Sequence, residues 1–174
     1  MKEIQKKAEK IKLLILDVDG VLTDGTVFID DDDKEMKAFN IHDGLGIRML
    51  QRNGVEIAII SGGAASAIEH RALHLGVKHI YLSQEKKVPI FLELKQKLNL
   101  SDEQIAYVGD DIPDLPVMQQ VGLAVAVPNA VAEVLKEADW VTKKSGGFGA
   151  VREVCELILF AQKNLKNAHE FYFT

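Results

Sequence analysis

Four consecutive apolar residues, Leu13–Leu16, run directly into Asp17-Val18-Asp19-Gly20 and then Val21-Leu22-Thr23-Asp24-Gly25. An unbroken apolar run of this kind predicts a strand buried on both faces, as inside a parallel sheet. The pattern returns downstream. Residues 55–60 end at Ser61-Gly62-Gly63, residues 79–82 lead towards Lys87, and residues 105–108 end at Gly109-Asp110-Asp111. Residues 123–127 and the pair Trp140-Val141 give two further strands. Between them the apolar positions take helical spacing. Helices are expected from His42 to Asn53-Gly54 with Asp43 as its N-cap, then over 64–75, 86–98, 113–121, 130–138 and 150 to about 163. Residues 1–11, with Ile4, Ala8 and Ile11 in phase, predict a short helical lead-in. Strands alternating with helices across short Gly-marked loops predict an α/β fold: a three-layer, Rossmann-like parallel sheet with helices on both faces. Residues 26–29 and 36–39, flanking Asp30-Asp31-Asp32-Asp33-Lys34, add a projecting β-hairpin.

With 174 residues the chain is expected to form a single domain, 1–174, burying about 70% of its unfolded surface. A composition of 47% hydrophobic and 27% charged residues suits a soluble globular protein. The net charge of −5, without a basic cluster, argues against a nucleic-acid partner. No apolar run is long enough to span a membrane, and the charged N-terminus lacks a signal-peptide centre, so the expected location is cytoplasmic. Cys155 has no partner cysteine and lies among Val151, Val154, Leu157 and Ile158, which reads as a small buried hydrophobe. The four aspartates 30–33 read as a solvated turn tip.

If the sheet is parallel, four chemically distinctive groups arrive at one edge: Asp17 with Asp19, Ser61, Lys87, and Asp110 with Asp111. Each alone has an ordinary reading as a turn, a solvated charge or a cap. Together, each following a buried strand, they form a set suited to phosphoryl transfer. Carboxylates hold a divalent cation of the Mg²⁺ type, lysine and hydroxyl orient phosphate oxygens, and a carboxylate serves as nucleophile.

These motifs, Asp17 to Gly25, Ser61-Gly62, Lys87 and Gly109-Asp110-Asp111-Ile112-Pro113-Asp114, resemble the haloacid dehalogenase superfamily of phosphohydrolases. The resemblance implies Asp17 as nucleophile, Asp19 as general acid and base, and Ser61 and Lys87 as phosphate-holding groups. It implies Mg²⁺ bound by Asp17, Asp110 and the backbone carbonyl of Val18, with Asp19 contributing through its backbone if at all, and with Asp111 and Asp114 supporting.

Residues 13–25, 37–47, 107–118 and 146–159 narrow the resemblance to the family of sugar-acid phosphatases acting on 3-deoxy-D-manno-octulosonate 8-phosphate in lipopolysaccharide synthesis. That resemblance implies no cap domain and a homotetramer built through the hairpin at 26–39. The hairpin's Val27, Phe28, Ile29, Met36 and Phe39 would then be buried between subunits. Such enzymes usually carry arginine after Ser/Thr-Gly, where this chain has Gly63. The substrate-binding set is therefore expected to be Ser61, Gly62, Lys87 and either Arg71 or a neighbouring subunit's residue. Phosphatases of nine-carbon sugar acids are the alternative within this fold. A phosphorylatable receiver module is a remoter one, because residues 81–83 end the third strand without an acid. An idle assembly subunit would not need Asp17, Asp19, Lys87 and Asp110 together. The tail from His169 to Phe173 reads as frayed or as a second contact with a neighbour.

Overall fold

In the computed structural model, which describes residues 1–173, six parallel strands form one sheet. In chain order the elements are α1 (Lys2–Glu9), β1 (Leu13–Leu16), β2 (Phe28–Ile29), β3 (Glu35–Met36), α2 (Ile41–Arg52), β4 (Glu56–Ile60), α3 (Ser66–His74), β5 (His79–Tyr81), α4 (Val88–Lys97), β6 (Ile105–Gly109), α5 (Leu115–Met118), β7 (Leu123–Ala126), α6 (Ala132–Glu137), β8 (Trp140–Val141), α7 (Ala150–Ala161) and α8 (Leu165–Glu170). The sheet order is β5-β4-β1-β6-β7-β8. From β1 the chain winds outward through β4 to β5, then crosses back to β6 and winds the other way. The switch point therefore lies between β1 and β6, where Leu16 is in register with Ile59 on one side and Val108 on the other. A doubly wound sheet opens its crevice just beyond the carboxyl ends of the strands at that point.

All four β1 residues are fully buried, which is why this strand is written without a polar position. Helices α1, α2, α7 and α8 pack together, while α4, α5 and α6 form a second group. Helix α7 turns Ala150, Val151, Val154, Cys155, Ile158 and Leu159 inward, a spacing of three and four that makes one apolar face. Burial pushes the Cys155 thiol well above its ordinary pKa, in keeping with a packing role.

Four local expectations are revised. Helix α2 begins earlier than expected, with Asn40 as its N-cap accepting from the His42 N–H at 2.8 Å. Asp43 is instead 1% exposed and caps a different helix: its Oδ1 accepts from the Arg152 N–H of α7 at 2.7 Å. The helix expected over 113–121 is split into a 3₁₀ turn, Ile112–Asp114, and the short α5, because Pro116 lacks the N–H that would donate to the Ile112 carbonyl. The tail is ordered. Helix α8 turns it back so that the Arg52 guanidinium stacks 4.1 Å over the Phe171 ring and donates to the Tyr172 hydroxyl. The hairpin pairs only two residues per strand. Its tip is closed by Asp30, whose Oδ1 accepts from the Asp32 and Lys34 N–H groups, and residues 30–33 are exposed.

Burial raises the pKa of Asp43, opposed by the N–H groups of Arg152 and Gly149 that bond its carboxylate. Removing the carboxylate leaves the Arg152 N–H unpaired inside the α2–α7 interface. Asp43→Ala is expected to lose about 1–3 kcal/mol in urea unfolding, and Asp43→Asn, which keeps an acceptor oxygen, distinctly less. An alanine variant within about 0.5 kcal/mol of the parent, the range of an ordinary surface change, would remove this carboxylate from the packing.

Candidate active site

The chain leaves β1 through a tight turn centred on the Val18 carbonyl. That oxygen accepts from the N–H groups of Val21, Leu22 and Thr23 at 3.2, 2.9 and 3.0 Å. It closes the turn, which corrects the expectation that it would ligate a cation. The Asp19 carbonyl, by contrast, accepts no hydrogen bond among the described residues. Gly20 has φ +82°, and a Cβ there would lie 2.0 Å from Asp110 Oδ2. Only glycine satisfies both the left-handed backbone and that approach. The turn is held from behind by the loop before α7. Asn129 donates to the Gly20 carbonyl and accepts from the Gly146 N–H, both at 2.8 Å. A Cβ at Gly146 would fall 1.7 Å from the Gly20 oxygen. The glycines at 146–147 therefore serve to let two backbones touch.

The turn delivers Asp17 to the switch point beside Lys87, the residue preceding α4. Lys87 is 4% exposed, and its Nζ lies 2.8 Å from Asp17 Oδ1 and 2.7 Å from Asp114 Oδ1. Asp114 is fully occupied. Its Oδ1 also accepts from the Tyr107 hydroxyl at 2.6 Å, and its Oδ2 from the N–H groups of Asp110 and Asp111 at 2.9 and 3.2 Å. Asp111 is exposed and caps the 3₁₀ turn through the Ile112 N–H. Ser61, at the end of β4, accepts from the Gly63 N–H at 3.0 Å, which leaves its hydroxyl proton free to donate.

The charges do not balance. Burial raises the Asp17 pKa to about 6, helped by Asp114 and opposed by Lys87. Asp110 is pushed to about 8 by burial and by the charges of Asp17, Asp114 and Asp111. Burial alone would depress the Lys87 ammonium, but Asp17 and Asp114 outweigh it and hold its pKa above the lysine norm. Asp17, Asp110 and Asp114 offer carboxylate oxygens within 4.8 Å of one another. Asp110 Oδ1 is buried with no hydrogen-bond partner among the described residues. An orphaned, crowded carboxylate oxygen beside a second acid fits a hard divalent cation, which takes oxygen ligands and relieves like-charge repulsion. Since Asp114 is already satisfied, Asp17 and Asp110 are the carboxylates left for it.

Asp17, Asp19, Ser61, Gly62, Lys87, Asp110, Asp111 and Asp114 all line one cleft of about 590 Å³, together with Gly63 and Gln84. Arg71 does not. Its guanidinium turns to the Asn40 carbonyl at 3.3 Å and borders a separate cavity of about 10 Å³ beside Phe39 and Asp43. The expectation that Arg71 binds substrate within its own chain is therefore withdrawn. No arginine lines the cleft among the described residues. Three contributors went unread in the sequence: Tyr107, Asn129 and Lys37. Lys37, just past β3, places its Nζ 2.6 Å from Asp19 Oδ1. Burial opposes its charge, while Asp19 and Glu35 raise its pKa.

The same arrangement of chain recurs in known proteins. A family model of haloacid dehalogenase-like hydrolases matches residues 79–154, which include Lys87, Asp110 and Asp114. The 3-deoxy-D-manno-octulosonate 8-phosphate phosphatase KdsC of Escherichia coli (strain K12) is 49% identical over 166 residues, covering 95% of this chain and 88% of that protein. A HAD superfamily (subfamily III A) hydrolase of Legionella pneumophila superimposes with a TM-score of 0.97 at 48% identity, over 99% of this chain and 95% of that one. The 3-deoxy-D-manno-octulosonate 8-phosphate phosphatase of Moraxella catarrhalis, solved with magnesium, phosphate and KDO, gives 0.96 at 42% identity over 100% and 99%. On fold, cleft and near-complete coverage at this identity, the chain belongs to the haloacid dehalogenase-like hydrolases.

Proposed function

We propose that this chain is a Mg²⁺-dependent phosphomonoesterase that hydrolyses 3-deoxy-D-manno-octulosonate 8-phosphate to the free sugar acid and phosphate. The observation that carries the reaction is the cluster itself: Asp17 held by the Lys87 ammonium at 2.8 Å, beside the orphaned Oδ1 of Asp110. The similarity to phosphatases of this sugar acid, across nearly the whole chain, supports the substrate.

In this reading an oxygen of Asp17 attacks phosphorus, the bond from phosphorus to the sugar oxygen breaks, and Asp19 gives its proton to that leaving oxygen. Asp19 then takes a proton from water, whose oxygen attacks phosphorus. The bond to Asp17 breaks, releasing phosphate and restoring the carboxylate. Ser61 donates to a phosphate oxygen, Gly62 leaves room for it, and Lys87 holds nucleophile and phosphate together. Asp17, Asp110 and the free Asp19 carbonyl would hold Mg²⁺, which when bound offsets the phosphate charge that otherwise repels an anionic nucleophile. Asp114, satisfied by four donors, keeps Lys87 aimed, and Asp111 supports the loop.

The chain works as one domain in this reading, its hairpin serving assembly. Val27, Phe28, Ile29 and Met36 are 48%, 52%, 64% and 56% exposed. That is more apolar surface than a two-stranded ribbon leaves in water. Phe39 does not share this face, since it packs against the core. A homotetramer joined through the hairpins would cover this surface, and a neighbour could supply the cation that Gly63 and Arg71 do not. Among the described residues no helix is long and apolar enough to cross a membrane.

Phosphate release measured with Mg²⁺ across eight- and nine-carbon sugar-acid phosphates should peak at the eight-carbon 8-phosphate. Asp17→Asn should lose at least about 10²-fold, and exhaustive chelation should stop turnover. A preference for nine-carbon esters would reassign the substrate, and full activity after chelation would overturn the mechanism.

A second prediction concerns pH. Without metal the folded Asp110 has a pKa of about 8 against an ordinary 3.8. Across that window the native state binds more protons than the unfolded state, so stability falls as pH rises. Asp110→Asn has no such proton to lose. Its metal-free melting temperature should rise relative to the parent between about pH 5 and pH 8, by about 2–4 °C for a discounted gain on the order of 1 kcal/mol. Added Mg²⁺ should stabilise the parent and not the variant. A gap that stays constant with pH, or a variant that Mg²⁺ stabilises equally, would contradict the assignment.

Charged replacements at both Phe28 and Ile29 should dissociate the assembly in light scattering, whereas deleting residues 30–34 should leave it intact. A parent protein that is monomeric at micromolar concentration and fully active would refute the tetramer.

A further inference from the structure

Lys37 combines features that a hairpin lysine has no ordinary reason to show. Its neighbour Met36 is 56% exposed, yet the Lys37 side chain is only 2% exposed. Its ammonium is folded back onto the cleft, 2.6 Å from Asp19 Oδ1 and 3.5 Å from Glu35 Oε2. The two oxygens of Asp19 are thereby divided. Oδ1 is held, while Oδ2 borders the loop after β4: a Cβ at Gly63 would lie 3.0 Å from Oδ2 and 3.4 Å from Ser61 Oγ. The Asp19 side chain is 38% exposed, and among the described residues its carboxylate accepts no hydrogen bond other than that from Lys37.

We propose that Lys37 is a positioning residue for the reaction: it pins one oxygen of Asp19 so that the other faces the leaving oxygen of the substrate. Lys37 belongs to the hairpin, so the seating of the hairpin sets the geometry of the proton carrier. This rests on the reading of Asp19 as the group that moves the proton. The physical basis is orientation: a carboxylate free to turn spends little time where transfer can occur, and a misplacement of about 1 Å can cost about 10²-fold. Glu35 supplies a second anion that keeps the ammonium at this place.

The test compares the parent, Lys37→Met, Lys37→Arg, Asp19→Asn and the Lys37→Met/Asp19→Asn double variant, all with Mg²⁺. Each is assayed on the sugar-acid 8-phosphate and on p-nitrophenyl phosphate, with the oligomeric state followed by light scattering. The quantity read is kcat/KM, which covers binding and the first displacement and leaves out hydrolysis of the intermediate. Lys37→Met should lose about 10- to 10²-fold on the sugar ester but little on p-nitrophenyl phosphate, whose leaving group departs without a proton. Lys37→Arg should recover part of the loss, and the double variant should be no worse than Asp19→Asn. Equal losses on both esters, multiplying losses in the double variant, or an unaffected Lys37→Met beside an impaired Asp19→Asn would overturn the role of Lys37. If Asp19→Asn itself retained full activity on the sugar ester, the reading of Asp19 would fall instead.

Discussion

One buried ammonium faces more negative charge than it can neutralise. Lys87 sits within 2.8 Å of both Asp17 and Asp114, and Asp110 stands alongside with an oxygen that nothing in the described chain satisfies. Burying such a group is costly unless it is paired. Its persistence therefore makes sense as a cost carried by the fold for the sake of what binds there. The consequences run outward. Asp114 must stay an acceptor for Lys87, so the Tyr107 hydroxyl and two backbone N–H groups converge on it. Gly20 must lack a side chain, because Asp110 occupies the space where one would stand.

The rest of the architecture keeps those groups in register. The switch point between β1 and β6 brings the ends of two buried strands together, and so Asp17 and Asp110 meet without a long loop. The Asn129 bridge and the paired glycines at 146–147 hold the turn from behind, which ties the loop before α7 to the loop that follows Asp17. Asp43 then ties the start of α2 to the start of α7. Two segments far apart in sequence, the turn after β1 and helix α7, are thus held together. The hairpin is the exception: it touches the cleft through Lys37 and leaves its apolar face to solvent.

Legibility in the sequence followed the range of the interactions. Buried parallel strands are written as unbroken apolar runs, so β1, β4, β6 and β7 could be read, and their polar endings gave Asp17, Asp19, Ser61 and Asp110 directly. Interactions decided by distant partners could not be read. Asp43 looks like a local cap because it opens a helical stretch, yet its partner is 109 positions away. Lys37 reads as a solvated hairpin charge, since only the folded ribbon shows that it reaches Asp19. The Val18 carbonyl was implied as a ligand by the family resemblance alone, and the sequence does not display which oxygen a turn consumes. Arg71 is in the expected helix, but the phase of α3 turns it to Asn40. Helix α8 escaped because six residues are too few to display an apolar stripe.

The proposed reaction passes the phosphoryl group from the sugar to Asp17 and then to water. Acid-quenching the enzyme during turnover of the sugar-acid phosphate with Mg²⁺, reducing it with borohydride and mapping its peptides by mass spectrometry would trap that intermediate. Reduction converts an acyl-phosphorylated aspartate to homoserine. Homoserine is expected at position 17 and nowhere else, in proportion to the enzyme caught in turnover. Conversion at another carboxylate, or none when a pre-steady-state burst shows that the intermediate accumulates, would contradict it.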